Sequence, residues 1–475
     1  MSSVSRNGTR ANQKSERGNA MKLAIIGGGP GGYVAAIRAA QLGASVTLIE
    51  KETLGGTCLN VGCIPTKVLL HATHELESIK RGAAFGLQCK EASLDWQTVL
   101  SYKQKTVGQL TSGVGGLLKR HKVEFISGTA AFASTGSINV RTKNGAQTVQ
   151  FDKAVIASGS MSASLPIPGA DAACVITSNE ALCLEAPPKS MVIVGGGVIG
   201  VELACVYARL GCKVTIVEFL DRILANMDAD LITMVARDLK KLGVEIRTGC
   251  KVTAIDRDGT VHFASTSGNE TEKGENVLMA VGRKPNTGTI GLEKVGVSSE
   301  RGAILVNEYM QTSIKNIYAI GDCTGGMMLA HVASEQGIVA VTNAIQGDHH
   351  RYDSATVPAC VYTYPELAMV GMTEERAKQE RDEIKVGKFP LVANGKAMLM
   401  GTGGLVKIIA DAKTEDVLGM HIYGPGATDM IHEGALAIRL EATIEEIVTT
   451  VHAHPTVAEA IGEAANDVRG LAIHI

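Results

Sequence analysis

The chain has 475 residues, 45% of them apolar, and a formal net charge of −2. That length is enough for about three domains, and the apolar content is enough for large cores. The near-zero charge gives no electrostatic case for nucleic acid or an anionic membrane surface, and no apolar run reaches the length that spans a bilayer. We therefore expect neither a nucleic-acid partner nor a membrane partner.

The ten cysteines are scattered along the chain except for one close pair, Cys58 and Cys63. A disulfide scaffold would be shorter and denser in cysteine, so we expect a reducing compartment: the cytoplasm, or the mitochondrial matrix in a eukaryote. Residues 1–20 are polar and basic and have no apolar core. They predict a disordered tail, with a weak organelle-targeting peptide as the alternative.

A glycine-rich turn lies between two predicted strands near the start of the chain. A short apolar strand leads into Gly27-Gly-Gly29-Pro-Gly-Gly32, an alanine-rich helix follows, and a second strand ends in Glu50. This order is typical of a dinucleotide-binding unit. Gly27 permits the tight turn, Gly29 the approach of backbone to pyrophosphate, and Gly32 the close packing of helix on strand. We expect the pyrophosphate at the helix N-terminus and a ribose hydroxyl on Glu50.

The same unit recurs later in the chain. Gly195, Gly197 and Gly200 repeat the glycine pattern after a second apolar strand. Glu218 then ends the next strand at the same distance from the turn as the acid of the first copy. This internal duplication predicts that the chain binds two dinucleotides.

The cysteine pair lies in the string Gly-Gly-Thr-Cys-Leu-Asn-Val-Gly-Cys-Ile-Pro-Thr-Lys, residues 55–67. In an ideal helix an offset of five separates the Cα atoms by about 8–9 Å, whereas a disulfide needs about 4.4–6.8 Å. If the two cysteines pair, the backbone between them must therefore be distorted. Gly62 supplies freedom there, and Pro65 favours a new helical first turn. The spacing alone is also compatible with two inert buried cysteines.

The complete string resembles the redox-active disulfide segment of the flavin-dependent pyridine nucleotide–disulfide oxidoreductases. The resemblance implies a redox disulfide in which Cys58 exchanges with substrate and Cys63 lies against the flavin. It also implies FAD on the first glycine unit, which runs directly into this segment, and NAD on the second. Glu218 accepts from a free 2′-hydroxyl and repels a 2′-phosphate, which favours NAD over NADP, although Arg222 nearby argues the other way.

Further segments resemble motifs of the same family. Residues 154–159, Ala-Val-Ile-Ala-Ser-Gly, resemble its second flavin motif, with serine where threonine is usual, and residues 317–322 resemble the third. The residues expected at FAD are Gly27, Gly29, Gly32, Glu50, Lys51, Gly56, Thr57, Lys67, Ala130, Ser158, Gly159, Asp322, Leu329 and Ala330. Those expected at NAD are Gly195, Gly197, Val198, Ile199, Gly200, Glu218, Val252 and Gly282.

The string His454-Pro-Thr-Val-Ala-Glu459 resembles the base motif of the family. A dithiol substrate needs a base, and histidine has a suitable intrinsic pKa. Glu459 is expected to orient His454 if Pro455 starts a helix. The resemblance implies that this histidine reaches the disulfide of the other subunit. It also implies that Lys67 lies near the flavin and pairs with Glu202.

The resemblance covers roughly residues 21–475 and is greatest to the members that oxidise dihydrolipoyl groups and reduce NAD⁺. The implied partners are the dihydrolipoyl groups of 2-oxo acid dehydrogenase or glycine cleavage complexes, and a second copy of the chain in a homodimer. A glutathione-type reductase is an alternative that should carry basic residues where Glu218 stands. A mercuric reductase should end in an added cysteine pair, which residues 470–475 lack. A mainly structural dimer within a multienzyme complex is the alternative from another class.

The expected fold class is α/β, with two Rossmann-like dinucleotide-binding domains and a C-terminal α+β dimerisation domain. The expected bounds are residues 21–160 for the first part of the FAD domain, which carries the cysteine pair, and 161–285 for the NAD domain. Residues 286–355 are expected to complete the FAD and central domain, and residues 356–475 to form the dimer interface.

Overall fold

The computed structural model describes residues 20–89 and 92–475, so the tail expected over residues 1–20 lies outside the described residues apart from Ala20. The described strands are β1 (Lys22–Ile26), β2 (Ser45–Glu50), β3 (Glu124–Ser127), β4 (Thr129–Ser134), β5 (Ser137–Thr142), β6 (Gly145–Gln150), β7 (Lys153–Ile156), β8 (Ser160–Ser162), β9 (Val175–Ile176), β10 (Ser190–Val194), β11 (Lys213–Val217), β12 (Glu245–Arg247), β13 (Lys251–Ile255), β14 (Thr260–Ser265), β15 (Gly268–Lys273), β16 (Asn276–Met279), β17 (Arg283–Pro285), β18 (Ser299–Glu300), β19 (Ala303–Ile304), β20 (Ile317–Ala319), β21 (Ala359–Val361), β22 (Glu366–Gly371), β23 (Ile384–Pro390), β24 (Leu405–Asp411) and β25 (Val417–Gly424).

The described helices are α1 (Pro30–Gln41), α2 (Gly56–Val61), α3 (Cys63–Arg81), α4 (Trp96–Arg120), α5 (Ser178–Ala181), α6 (Val198–Arg209), α7 (Ala229–Lys241), α8 (Leu292–Val295), α9 (Ala330–Gln346), α10 (Glu374–Glu380), α11 (Gly395–Leu399), α12 (Ala427–Arg439), α13 (Ile444–Thr449) and α14 (Glu459–Asp467). Within the described ranges, none of them has both the length and the hydrophobicity needed to cross a bilayer.

Each glycine unit builds a five-stranded parallel sheet. The strand orders are β20-β7-β1-β2-β3 and β12-β11-β10-β16-β9. In both sheets the strand before the glycine turn pairs in parallel with the strand that leads to the acid, Lys22 opposite Ser45 and Ser190 opposite Lys213. After their first residues, Lys22 and Ser190, β1 and β10 are apolar and buried, because parallel sheets of this kind are covered on both faces. The repeat found in the sequence is therefore two copies of one βαβ unit.

Helices inserted in the first unit pack against the second. α3 carries Cys63 at its start, and Arg209 Nε of α6 donates to Glu77 Oε2 of α3 at 2.8 Å. Trp96 at the start of α4 donates through its indole N–H to the carbonyl of Leu184 at 2.8 Å. These contacts hold the cysteine-bearing segment between the two dinucleotide units.

The C-terminal part is an antiparallel sheet of order β21-β22-β25-β24-β23 packed with helices. Its central strand β25 is buried along its whole length, and apolar residues of α12, α13 and α14 complete this core. The α/β fold class with a C-terminal α+β part is thus confirmed. One local expectation is wrong: the last helix begins at Glu459 and not at Pro455, which stands in the loop before it.

Candidate active site

The two glycine turns have the same backbone conformation. Gly27 and Gly195 both have φ of +109°, in the region that side chains rarely adopt. A β-carbon on Gly32 would lie 1.8 Å from the carbonyl oxygen of Gly27, and one on Gly200 would lie 2.1 Å from that of Gly195. Glycine is therefore required at the first and third positions of both turns, so that each helix can start directly against its strand.

The acids at the ends of the two strands hold these turns. Glu50 Oε2 accepts from the Gly28 N–H at 2.6 Å, and Glu218 Oε2 accepts from the Gly196 N–H at 2.5 Å. The second oxygen of each carboxylate accepts from the backbone N–H two residues further on, at 2.7 Å in both copies. Both carboxylates are buried. Sequence reasoning assigned them to ribose alone and missed this second use, which leaves one lone pair on each oxygen for a ligand.

The backbone between the two cysteines is broken at Gly62. α2 ends at Val61, α3 begins at Cys63, and Gly62 between them has φ −144° and ψ −111°. A β-carbon at Gly62 would lie 2.9 Å from the carbonyl oxygen of Thr57, so the break is also closely packed. Cys58 and Cys63 are not joined by a disulfide in this structure, but their thiols interact with each other.

That interaction makes the two thiols chemically different. The hydrogen bond from Cys58 and the nearby ammonium of Lys67 together lower the pKa of Cys63 to about 7, against the opposing effect of burial. The same hydrogen bond and burial raise the pKa of Cys58. Near neutral pH the negative charge of the pair therefore resides on Cys63, with Cys58 as the proton donor.

The predicted pairing of Lys67 with Glu202 is present. Lys67 Nζ lies 3.0 and 2.9 Å from the two carboxylate oxygens of Glu202, whose side chain is 4% exposed. Glu202 also accepts from the backbone N–H of Tyr362 at 3.0 Å, and the ammonium lies 4.4 Å from the centroid of the Tyr362 ring. A buried carboxylate with these three contacts fixes the lysine beside the cysteine pair.

One cavity of about 2280 Å³ connects both glycine turns with the cysteine pair. All residues predicted for FAD and NAD line it except Gly32 and Gly200, which pack inside the turns. Cys58, Cys63, Lys67 and Glu202 also line it, whereas His454 and Glu459 do not. Ligand cavities usually measure about 300–1,000 Å³, so this one is large enough for more than one ligand of ordinary size.

The cavity wall has the features that two dinucleotides need. α1, α6 and α9 begin at the wall after Gly29, Gly197 and Leu329, and no side chain of the described residues caps their N-terminal amides. Uncapped helix N-termini bind phosphate and stabilise negative charge. The Ser158 hydroxyl is buried beside the Cys323 thiol and lacks a hydrogen bond of ordinary geometry. The residues present therefore fit FAD and a nicotinamide dinucleotide.

Sequence reasoning missed several residues of this cavity. Arg283 Nε donates to Ser160 Oγ at 2.7 Å, and that hydroxyl donates to Asp322. The carboxylate of Asp322, which was expected to contact the flavin, is therefore held in place by Ser160 and, through it, by Arg283. Cys360 and Tyr362 line the cavity from β21 and the loop after it. Burial raises the pKa of the Cys360 thiol to about 11, which keeps it protonated at neutral pH. The sequence signal for Arg283 and Tyr362 is that residues 280–286 and 362–366 resemble further segments of the same family.

His454 and Glu459 form their expected pair without a helix between them. His454 Nδ1 lies 2.9 Å from Glu459 Oε1, and Glu459 Oε2 accepts from the Thr456 N–H at 2.8 Å. That backbone bond, followed by the contact with His454, lowers the pKa of the Glu459 carboxyl. The His454 side chain is 80% exposed. Glu459 of the same chain therefore orients the imidazole of His454, and the ring lies on the surface of that chain.

The arrangement defines a dithiol oxidoreductase that binds two dinucleotides. A family profile described as pyridine nucleotide-disulphide oxidoreductase matches residues 21–337, and the dimerisation domain of the same family matches residues 357–465. The chain belongs to the pyridine nucleotide–disulphide oxidoreductase family, which confirms the resemblance found in the sequence. The family uses FAD and NAD(H), and its dimerisation domain supports a homodimer.

Proteins of similar sequence or structure match this chain over nearly its whole length. The chain is 43% identical to a dihydrolipoyl dehydrogenase of Bacillus subtilis (strain 168), over 95% of this chain and 98% of that protein. It is also 43% identical to the mitochondrial dihydrolipoyl dehydrogenase of Pisum sativum, over 95% and 92% of the two chains. Among solved structures, LpdA from Mycobacterium tuberculosis matches with a TM-score of 0.88 and 28% identity, over 94% of this chain and 99% of that one.

Proposed function

We propose that this protein oxidises dihydrolipoyl groups to lipoyl groups and reduces NAD⁺ to NADH. The main support is the cysteine pair itself. The pKa values of its two thiols are shifted in opposite directions, the two residues lie on either side of a helix break, and both line the cavity that the two dinucleotide units share. The identity to dihydrolipoyl dehydrogenases over nearly the whole chain supports the dithiol substrate. FAD, when bound, accepts two electrons from the cysteine dithiol and returns them as hydride to NAD⁺.

The base of the dithiol half-reaction is His454 of the partner subunit. Within its own chain this side chain is exposed and does not line the cavity, so it is free to act across the dimer. Because Glu459 holds Nδ1, Nε2 is the nitrogen left to accept a proton. It takes that proton from the first thiol of the substrate, and the cation is stabilised by the carboxylate.

The resulting thiolate attacks the sulfur of Cys58 in the Cys58–Cys63 disulfide. The disulfide bond breaks, a mixed disulfide forms, and Cys63 leaves as a thiolate, the form that its pKa of about 7 favours. The second substrate thiol then attacks the substrate sulfur of the mixed disulfide. The lipoyl ring closes and Cys58 leaves, taking the proton held by the histidine, and the histidine accepts the proton of the second thiol and later releases it to solvent. One dithiol has been oxidised and one disulfide reduced.

The proposal includes a role for each cofactor-contacting residue and the domain bounds given above, 21–160, 161–285, 286–355 and 356–475. Residues of the first unit, with Lys67 beside the cysteines, hold FAD, and residues of the second unit hold NAD. The substrates are dihydrolipoyl groups carried by 2-oxo acid dehydrogenase or glycine cleavage complexes. The compartment is the cytoplasm, or the mitochondrial matrix in a eukaryote, where a reducing environment suits a disulfide that must be reduced in every turnover.

One steady-state comparison tests the proposal. Purified holoenzyme is assayed with dihydrolipoamide and either NAD⁺ or NADP⁺, and with glutathione disulfide and either reduced nucleotide. We expect the highest kcat/KM with dihydrolipoamide and NAD⁺. Faster reduction of glutathione disulfide by NADPH would instead assign the chain to the glutathione-type reductases.

A further inference from the structure

The loop that joins β11 to α7 contains a single basic residue, Arg222, and this residue is bound to another part of the protein. Its guanidinium makes two hydrogen bonds of 2.8 Å to the two carboxylate oxygens of Glu375. Glu375 lies in the first turn of α10, in the C-terminal part of the chain. This planar two-point geometry is the one that an arginine also uses to hold a phosphate.

Arg222 stands beside the second glycine turn. A β-carbon on Gly196 would lie 2.7 Å from Cγ2 of Ile223, the next residue, and the N–H of Leu224 donates to the carbonyl of Gly196 at 2.9 Å. Leu220, two residues before Arg222, and Asn226, four residues after it, line the cavity, whereas Arg222 itself does not. The two hydrogen bonds to Glu375 hold the guanidinium away from the cavity, and the carboxylates of Asp221 and Asp228 also attract it.

The first turn of α10 is held independently of this pair. Glu374 lies 2.7 Å from Lys407 Nζ, and the same ammonium lies 2.8 and 2.9 Å from the two oxygens of Asp228 at the start of α7. Lys407 is almost completely buried, with a side-chain exposure of 2%. A change at Glu375 therefore releases Arg222 while α10 and the far end of the loop stay in place.

We propose that Glu375 is a specificity-determining residue of the nucleotide site, because it withholds from that site the cation that a 2′-phosphate would bind. This rests on the proposed use of NAD⁺. It differs from the effect of Glu218, which repels the 2′-phosphate directly, whereas Glu375 removes an attractive partner. Partly exposed ion pairs are weak, so its removal should raise relative affinity for a 2′-phosphate about fivefold, which corresponds to about 1 kcal/mol.

The test is calorimetric titration of the FAD-loaded enzyme with 2′,5′-ADP and with 5′-AMP, which differ only by the 2′-phosphate. We expect E375Q to raise the affinity ratio of 2′,5′-ADP to 5′-AMP about fivefold. R222Q/E375Q should return the ratio to that of the wild type, and R222Q alone should leave it there. E380Q is the matched control, because it removes a carboxylate from the same helix, where it pairs with Arg376 at 2.7 Å. It should also leave the ratio unchanged.

Three results would overturn the inference: an unchanged ratio in E375Q, a gain that persists in R222Q/E375Q, or an equal gain in E380Q, which would mean that net charge alone is responsible. Failure of the proposed function gives a different result, since it would appear in the wild-type enzyme as a higher kcat/KM with NADP⁺ than with NAD⁺.

Discussion

The two dinucleotide units have nearly identical turns and different surroundings. A β-carbon on Gly29 would lie 3.9 Å from Cα of Gly56, at the start of α2, whereas one on Gly197 would meet nothing within 4 Å. Gly56 has φ of +54°, and a β-carbon there would lie 2.7 Å from Cα of Gly29. The first turn is covered by the cysteine segment and the second is open on the same side. Under the proposed assignment, the covered turn of the first unit suits a resident dinucleotide and the open turn of the second suits an exchangeable one.

The second dinucleotide unit with its loop (the nucleotide half) and the cysteine pair with its base (the dithiol half) also differ in which chain supplies their residues. In the nucleotide half, the loop beside the second glycine turn is held by its own chain, through the contacts of Arg222 with Glu375 and of Asp228 with Lys407. The dithiol half contains the cysteine pair, but the His454 of the same chain lies outside the cavity. In our account a second subunit supplies the base for the dithiol half, and changes in one half should leave the other half intact.

The largest effect is expected when the base is removed. His454→Ala should lower turnover of dihydrolipoamide by about 10²–10⁴-fold, because positioned acid–base catalysis contributes this much. Transfer of electrons from NADH to a small artificial acceptor should stay normal, since that route needs no thiol deprotonation. Glu459→Gln should lose less, because it removes orientation and keeps the proton acceptor. A parallel fall of both activities in His454→Ala would show a general structural defect.

The next largest effect is expected from alanine substitutions that distinguish the first glycine turn from the second. Gly29 and Gly197 have nearly the same backbone angles and both precede the first residue of a helix, so changing either to alanine has the same local cost. Where a dinucleotide lies against the turn, an added methyl group crowds the contact between backbone and pyrophosphate. Such crowding costs about 1–3 kcal/mol, or about 5- to 150-fold in affinity. Gly29→Ala should lose bound FAD, measured by flavin absorbance of the purified protein. Gly197→Ala should keep FAD and show a raised KM for NAD⁺; the opposite pattern would exchange the two assignments.

A smaller effect concerns the pH dependence of the cysteine pair. The pKa of Cys63 is about 7, so the long-wavelength flavin–thiolate absorbance of two-electron-reduced enzyme should appear as the pH rises through about 7. Lys67→Met removes a charge that lowers this pKa and should move the midpoint to higher pH by about one pH unit. Glu202→Gln removes a charge that raises it and should move the midpoint to lower pH. Lys80→Met, an exposed lysine of the same helix, is the control.

The sequence predicts the features that arise from local spacing. Both glycine units and their terminal acids follow from residues close together in the chain, whereas the break at Gly62 was expected on the condition that the two cysteines pair. The pairing of Lys67 with Glu202 follows only from the resemblance to a family. The second use of Glu50 and Glu218, as acceptors for their own turns, has no separate sequence signal, because the same acid at the same position serves both purposes.

Contacts between distant segments that no family resemblance implied were not predictable. Arg222 and Glu375 belong to different parts of the fold, and nothing near either residue in the sequence indicates its partner. The same holds for the carbonyls of the loop after α5, which accept from side chains of α4. The interpretation of Arg222 as a sign of NADP changes for this reason, since its charge is already paired.

A mixed dimer tests the shared dithiol site most directly. One chain carries His454→Ala and the other Cys58→Ser, with different affinity tags so that only the heterodimer is purified; both parent homodimers serve as inactive controls. If the base acts across the interface, one site has both defects and the other has none, so the heterodimer should keep about half of the wild-type dihydrolipoamide turnover, as simple counting of intact sites requires. If the base acts within its own chain, each site has one defect, and a nearly inactive heterodimer would contradict the account.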